Sequence, residues 1–167
     1  EDDNIAIGYN AMTTNTAGGV ENLAVGNYAL DALTSGDGNV ALGHMTLTAT
    51  DTGRHNVGVG YRALYTNTGG DNNVAVGKES LFYNTTGEDN IALGNQSLTA
   101  NTTGTANTAV GANALTANTT GQDNIAIGKN TLSANTTGVR NIAIGRAAYY
   151  SSDTENDNIA IGYGAMT

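Results

Sequence analysis

One pattern of apolar and polar positions runs the length of the chain. It is Asn, a large apolar residue, Ala, a large apolar residue, Gly, as in Asn124-Ile125-Ala126-Ile127-Gly128. The Asn falls at Asn4, Asn22, Asn39, Asn56, Asn73, Asn90, Asn107, Asn124, Asn141 and Asn158. The first interval is eighteen and the other eight are seventeen. Gly follows four positions after every Asn: Gly8, Gly26, Gly43, Gly60, Gly77, Gly94, Gly111, Gly128, Gly145 and Gly162. The middle position is Ala in nine copies and Gly58 in one, and Thr108 alone departs from the large apolar type at the first position. Eight positions after the Asn stands Leu in seven copies, Met12 and Met166 in two and Tyr149 in one. A fixed period of roughly this length is the signature of a stack of like coils. The pattern predicts an all-β parallel β-roll or β-solenoid of ten coils, one repeat domain over residues 1–167.

Large-small-large alternation is the period of a strand, and β-branched residues favour it. Three residues before a Gly are too few for a helix, so a short strand is predicted in each unit. The arm that follows, such as Lys129-Asn130-Thr131-Leu132, reads as a second short strand or one helical turn, with the strand preferred. Asn-Thr-Thr-Gly, as at Asn118 to Gly121, is turn chemistry. The strand's first and third positions are expected to face the coil interior. The middle position is never polar, so it is expected to be covered by another chain. The extra residue of the first unit lies in Ala17-Gly18-Gly19 and should bulge outward.

Stacking places like residues in columns. Asn39, Asn56, Asn73, Asn90, Asn107, Asn124 and Asn141 are expected to form an amide ladder. Gly43, Gly60, Gly77, Gly94, Gly111, Gly128 and Gly145 form a matching structural column, with no catalytic role for either.

Composition narrows the function classes. The chain has no Cys, Pro or Trp, and its net charge is −9 with six Lys plus Arg. That opposes nucleic acid and anionic membrane as partners. No apolar run has the length of a membrane span, so no membrane insertion by this segment is expected. Acids beside the turn Gly (Glu21, Asp37, Asp71, Glu88, Asp89, Asp123, Asp157) would form a negative stripe. Calcium could use such a stripe, but the calcium-binding β-roll spacing is missing. A solvated edge is the preferred reading, with no metal and no cofactor. His44 and His55 have no ligand spacing. No nucleophile elbow or phosphate loop occurs, and no carboxylate pair is singled out for glycoside cleavage. Thr85, Thr86, Thr102, Thr103, Thr119, Thr120, Thr136 and Thr137 sit in turns, where a flat ice-binding plane is not expected.

The pattern breaks at aromatic residues. Tyr61, Tyr65, Phe82, Tyr83, Tyr149 and Tyr150 are the candidate ligand contacts, because aromatic ledges suit sugar faces and protein surfaces. Tyr65 and Phe82 stand one period apart and should stack.

The pentad with its Asn/Thr/Gly turn resembles the head repeats of trimeric autotransporter adhesins, the YadA-like heads, and similar repeats of bacteriophage tail fibres. The resemblance covers essentially the whole chain. It implies a left-handed intertwined homotrimer of parallel chains. The units here are longer than is typical of those heads, the excess lying in the Leu-to-Gly arm. Neither a heptad stalk nor an anchor segment lies within these residues, which leaves adhesin and phage fibre both open.

Residues 1–13 match residues 155–167 at eleven of thirteen positions, which suggests a fragment of a longer fibre. The function expected is a structural and adhesive segment of an extracellular or virion fibre. It would bind a host-surface glycan or protein through multivalency and have no enzymatic activity. A purely architectural spacer and, more remotely, a fibre-borne polysaccharide depolymerase are the alternatives.

Overall fold

The computed structural model describes residues 3–15, 17–151 and 153–166. Each unit contributes one three-residue strand. They are β1 (Ile5–Ile7), β2 (Leu23–Val25), β3 (Val40–Leu42), β4 (Val57–Val59), β5 (Val74–Val76), β6 (Ile91–Leu93), β7 (Thr108–Val110), β8 (Ile125–Ile127), β9 (Ile142–Ile144) and β10 (Ile159–Ile161). The ten form a single parallel sheet in chain order. The register is one whole unit: Ala109 pairs with Ala126, and Ala126 with Ala143. This is a β-solenoid, and no helix occurs among the described residues. With parallel strands about 4.8 Å apart, the nine steps span roughly 43 Å.

The faces of the strand are the reverse of the sequence expectation. The middle Ala points into the coil, and the large first and third residues point out. Ala126 is 0% exposed, whereas Ile125 is 37% and Ile127 40% exposed. The cause is the narrowness of so short a coil. Gly58, standing at the middle position, faces the preceding coil's arm so closely that an added Cβ would lie 2.6 Å from Thr46 Cγ2 and 3.3 Å from Leu47 Cδ1. Only a small residue fits between the strand and the Leu of the opposite wall. The core is therefore two columns wide, Ala from the strands and Leu from the arms, with Tyr149 in the Leu column of the ninth coil.

The arm after the Gly is not a strand and not a helical turn. From Gly128 to Leu132 every second residue has positive φ: Gly128 133°, Asn130 56° and Leu132 50°. The same alternation recurs in the other coils. A left-handed residue breaks the strand, and a Leu there costs roughly 1–2 kcal/mol. The arm is held by bonds to the next coil, Leu115 N to Thr131 O at 3.0 Å and Leu132 N to Ala148 O at 3.1 Å. A turn bond within the coil, Asn135 N to Leu132 O at 3.2 Å, closes it. Gly128 is required as Gly on two counts: its φ of 133°, and the place of an added Cβ only 2.7 Å from the Gly145 carbonyl. The extra residue of the first unit is accommodated at exposed Gly18, where an added Cβ would meet nothing within 4 Å.

Candidate ligand-contact surface and its supports

The invariant Asn column is a buried hydrogen-bond ladder. Asn124 Nδ2 donates to Asn107 Oδ1 at 3.1 Å and to the Gly138 carbonyl at 2.8 Å. Its own Oδ1 accepts from Asn141 N at 3.0 Å and Asn141 Nδ2 at 3.2 Å. Both ends of each amide are thus used, twice over. This placement explains why Asn stands there: its short side chain carries two N–H donors and a separate carbonyl acceptor, and all are used. The same pattern links Asn22 through Asn158, including Asn39 to Asn22, Asn56 to Asn39, Asn73 to Asn56 and Asn90 to Asn73.

A second ladder, beyond the sequence expectation, runs through the turn Asn residues. Asn84, Asn101, Asn118 and Asn135 each donate Nδ2 to the Oδ1 of the Asn one coil earlier, beginning at Asn67, at 2.7–2.9 Å. Its signal is present in the spacing, but Asn-Thr-Thr-Gly also satisfies turn chemistry, which masks it. Asn135 Oδ1, at the end of this ladder, is buried without a partner among the described residues.

Two of the acids beside the turns, Asp37 and Asp71, cap backbone groups one coil away. Asp37 Oδ1 accepts from Val20 N at 3.0 Å, and Asp71 Oδ1 from Arg54 N at 2.7 Å. No group of three metal-ligating side chains occurs among the described residues. Asp157 takes a two-pronged bond from Arg140, Nε to Oδ1 at 2.6 Å and Nη2 to Oδ2 at 2.8 Å. That hydrogen bond holds the Asp157 carboxyl below its ordinary value and the Arg140 guanidinium above its own. A depressed carboxyl lends its support above the unfolded value of about 3.9 and loses it as pH falls through the lower folded value. An NMR titration should show Asp157 ionising below that ordinary value, with Arg140→Gln bringing it back up. An Asp157 midpoint that Arg140→Gln leaves in place would contradict the pairing.

The aromatic candidates separate into three groups. Tyr65 and Phe82 stack at 5.0 Å with planes 11° apart, and Tyr83 meets Phe82 edge-on at 4.6 Å. Tyr61 stacks on His44 at 5.6 Å and 18°, a contact that the repeat spacing also encodes. That gives His44 a packing role. Tyr149 is corrected: at 6% exposure it fills the Leu position of the core and offers no ledge. Its neighbour Tyr150 is exposed.

Arg62 joins the first two groups. Its guanidinium lies 5.0 Å from the Tyr61 ring centre and 5.5 Å from that of Tyr65. Arg62 Nε is buried without a hydrogen-bond partner among the described residues. Arg62, Glu79, Phe82, Tyr83, Gln96 and Thr99 line a cavity of about 260 Å³. Within it Gln96 Nε2 donates to Glu79 Oε2 at 2.9 Å. Asn113, Thr116, Asn130, Ser133, Ala134 and Tyr150 line a second cavity of about 400 Å³. No helix long and apolar enough to cross a membrane occurs among the described residues.

Comparison of the chain with models of protein families, with curated proteins and with solved structures returned no match.

Proposed function

We propose that the chain is a segment of a rod-like homotrimeric fibre displayed outside a cell or virion, where repetition provides stiffness and a multivalent adhesive surface. The observation that carries this reading is the outward strand face. Ile, Val and Leu side chains point outward from successive coils, among them Val76, Ile91, Leu93, Ile125, Ile127 and Ile144, all exposed. A continuous apolar strip of this length on one wall marks an interface. A second copy of the chain is the fitting occupant, because its strip has the same residues at the same axial repeat. Parallel copies place like coil against like coil, and none of the exposed strand residues is charged. The number three comes from the resemblance to trimeric adhesin heads.

In this reading the solenoid has no enzymatic activity. Its two Asn ladders and coil-to-coil backbone bonds serve rigidity, and its exposed arms bear the contacts to host-surface glycan or protein. Weak contacts repeated along three chains add through effective concentration. Antibodies raised against this segment should label fibres projecting from intact cells or virions under the electron microscope. Label confined to the cytoplasm of sectioned cells would contradict surface display.

A further inference from the structure

We propose that the two cavities are one trough that binds a linear, neutral polysaccharide lying along the solenoid axis. The inference deepens the adhesive reading above and rests on it for its setting. The cavities abut: Gln96 and Thr99 end the first, and Asn113 and Thr116, each one period further along the chain, begin the second. The coils there are joined by Leu98 N to Ala114 O at 3.0 Å and Ala100 N to Thr116 O at 3.1 Å. The trough therefore runs from the coil of Arg62 to that of Tyr150, five steps of about 4.8 Å or roughly 24 Å.

One wall is a column of planar hydrogen-bonding side chains: Arg62, Glu79, Gln96, Asn113 and Asn130. Every one is held at positive φ, between 54° and 56°. Asn or Gly adopts that backbone most readily. Tyr28, Met45 and Ala147 of the same column share that backbone outside the trough, so the left-handed turn belongs to the repeat and the side chains alone set the trough apart. In the same column the other coils carry Asn10, Tyr28, Met45, Ala147 and Gly164, so the unbroken polar run is confined to the trough. The facing side carries Phe82, Tyr83 and Tyr150 at its two ends and Thr99, Thr116 and Ser133 between them.

This is a surface for sugars. Exposed rings accept the C–H face of a pyranose, and amides and hydroxyls match its hydroxyl or acetamido groups. The lining carries one guanidinium, Arg62, and one carboxylate, Glu79, which also pairs with Lys78 Nζ at 3.8 Å, and the remaining walls are neutral, so an acidic glycan finds no unpaired cluster of cations. One pyranose advances an extended chain by nearly the same distance as one coil. About five sugars would therefore meet successive coils over the trough's roughly 24 Å. The trough lies on the arm wall, away from the outward strand strip, so copies packed on that strip leave it open.

The test is a printed array of neutral and acidic oligosaccharides, linear and branched, from one to six sugars long, probed with the whole chain. Neutral linear members should be retained, with affinity rising with length until about five sugars. The variants Gln96→Gly and Asn113→Gly remove the amides at positions where Gly accepts the backbone, and Tyr150→Ala removes an exposed ring. Each should weaken retention by about tenfold or more with circular dichroism and oligomeric mass unchanged. An array with no retention overturns the trough, as does retention of acidic glycans alone or retention that these variants leave intact. The two readings fail separately. Surface label with a blank array sinks the trough only, and glycan retention by a segment found only in the cytoplasm sinks the display only.

Discussion

Lysine in place of Ala126 should unfold the centre of the rod. Ala126 is fully buried, paired in register with Ala109 and Ala143. By the same placement that sets Gly58 against Leu47, it faces Leu115 across the coil. The coil is closed above and below, so the ammonium group has no route to water and no carboxylate within the core to pair with. An unpaired buried charge is among the few single changes that cost more than about 4–5 kcal/mol. Because each coil contacts only its neighbours, the damage should be greatest around the seventh to ninth coils. Thermal melting followed by circular dichroism should show a large drop. The control Thr120→Lys, at an exposed turn position, should melt like the parent. An Ala126→Lys variant that melts like the parent would mean that the strand's middle position opens to solvent.

Changing Asn124 to Asp should be nearly as damaging, although it replaces one oxygen-bearing side chain by another of the same shape. The Nδ2 donor to Asn107 Oδ1 and Gly138 O is lost, and a carboxylate oxygen is pressed against both acceptors. The two bonds accepted from Asn141 survive. Both acceptors keep a second donor, Asn124 N on Asn107 Oδ1 at 3.1 Å and Asn135 Nδ2 on Gly138 O at 3.3 Å, so the damage is two lost bonds of about 0.5–1.5 kcal/mol each and the burial of an ionised oxygen against those acceptors. A total of about 3–5 kcal/mol is expected at neutral pH. The new carboxyl has no donor facing its outer oxygen, so its folded pKa should lie above the unfolded one. Stability should then return in part as pH falls through that raised value, since the protonated acid can donate again. Asn124→Ala should show no such recovery. Equal melting of Asn124→Asp and the parent at neutral pH would contradict the ladder.

Much of the fold is legible because the period is regular enough to count. The strand, its register of one unit and the Asn column all follow from spacing. Which strand face points inward does not follow. Large-small-large alternation is symmetric between the two faces, and only the narrow coil, measured at Gly58 against Leu47, selects the small one. The arm is illegible for a different reason. Leu132 at positive φ defies local preference, and its support comes from neighbouring coils through bonds such as that to Ala148. At the candidate surface, Tyr65 on Phe82 can be drawn from spacing alone. Tyr149 shares the Leu column, and the same count assigns it to the core. The trough is beyond such counting, because it joins two columns whose relation depends on the arm's backbone.

Assembly through the outward strand strip is the central claim, and light scattering of the purified chain at micromolar concentration tests it most directly. The account predicts a mass about three times the 16.9 kDa of one chain. It also predicts that Ile127→Glu with Ile144→Glu, which place charges on the exposed strip, yields a smaller species that keeps its β-sheet signal. A folded, stable parent chain at 16.9 kDa would contradict it.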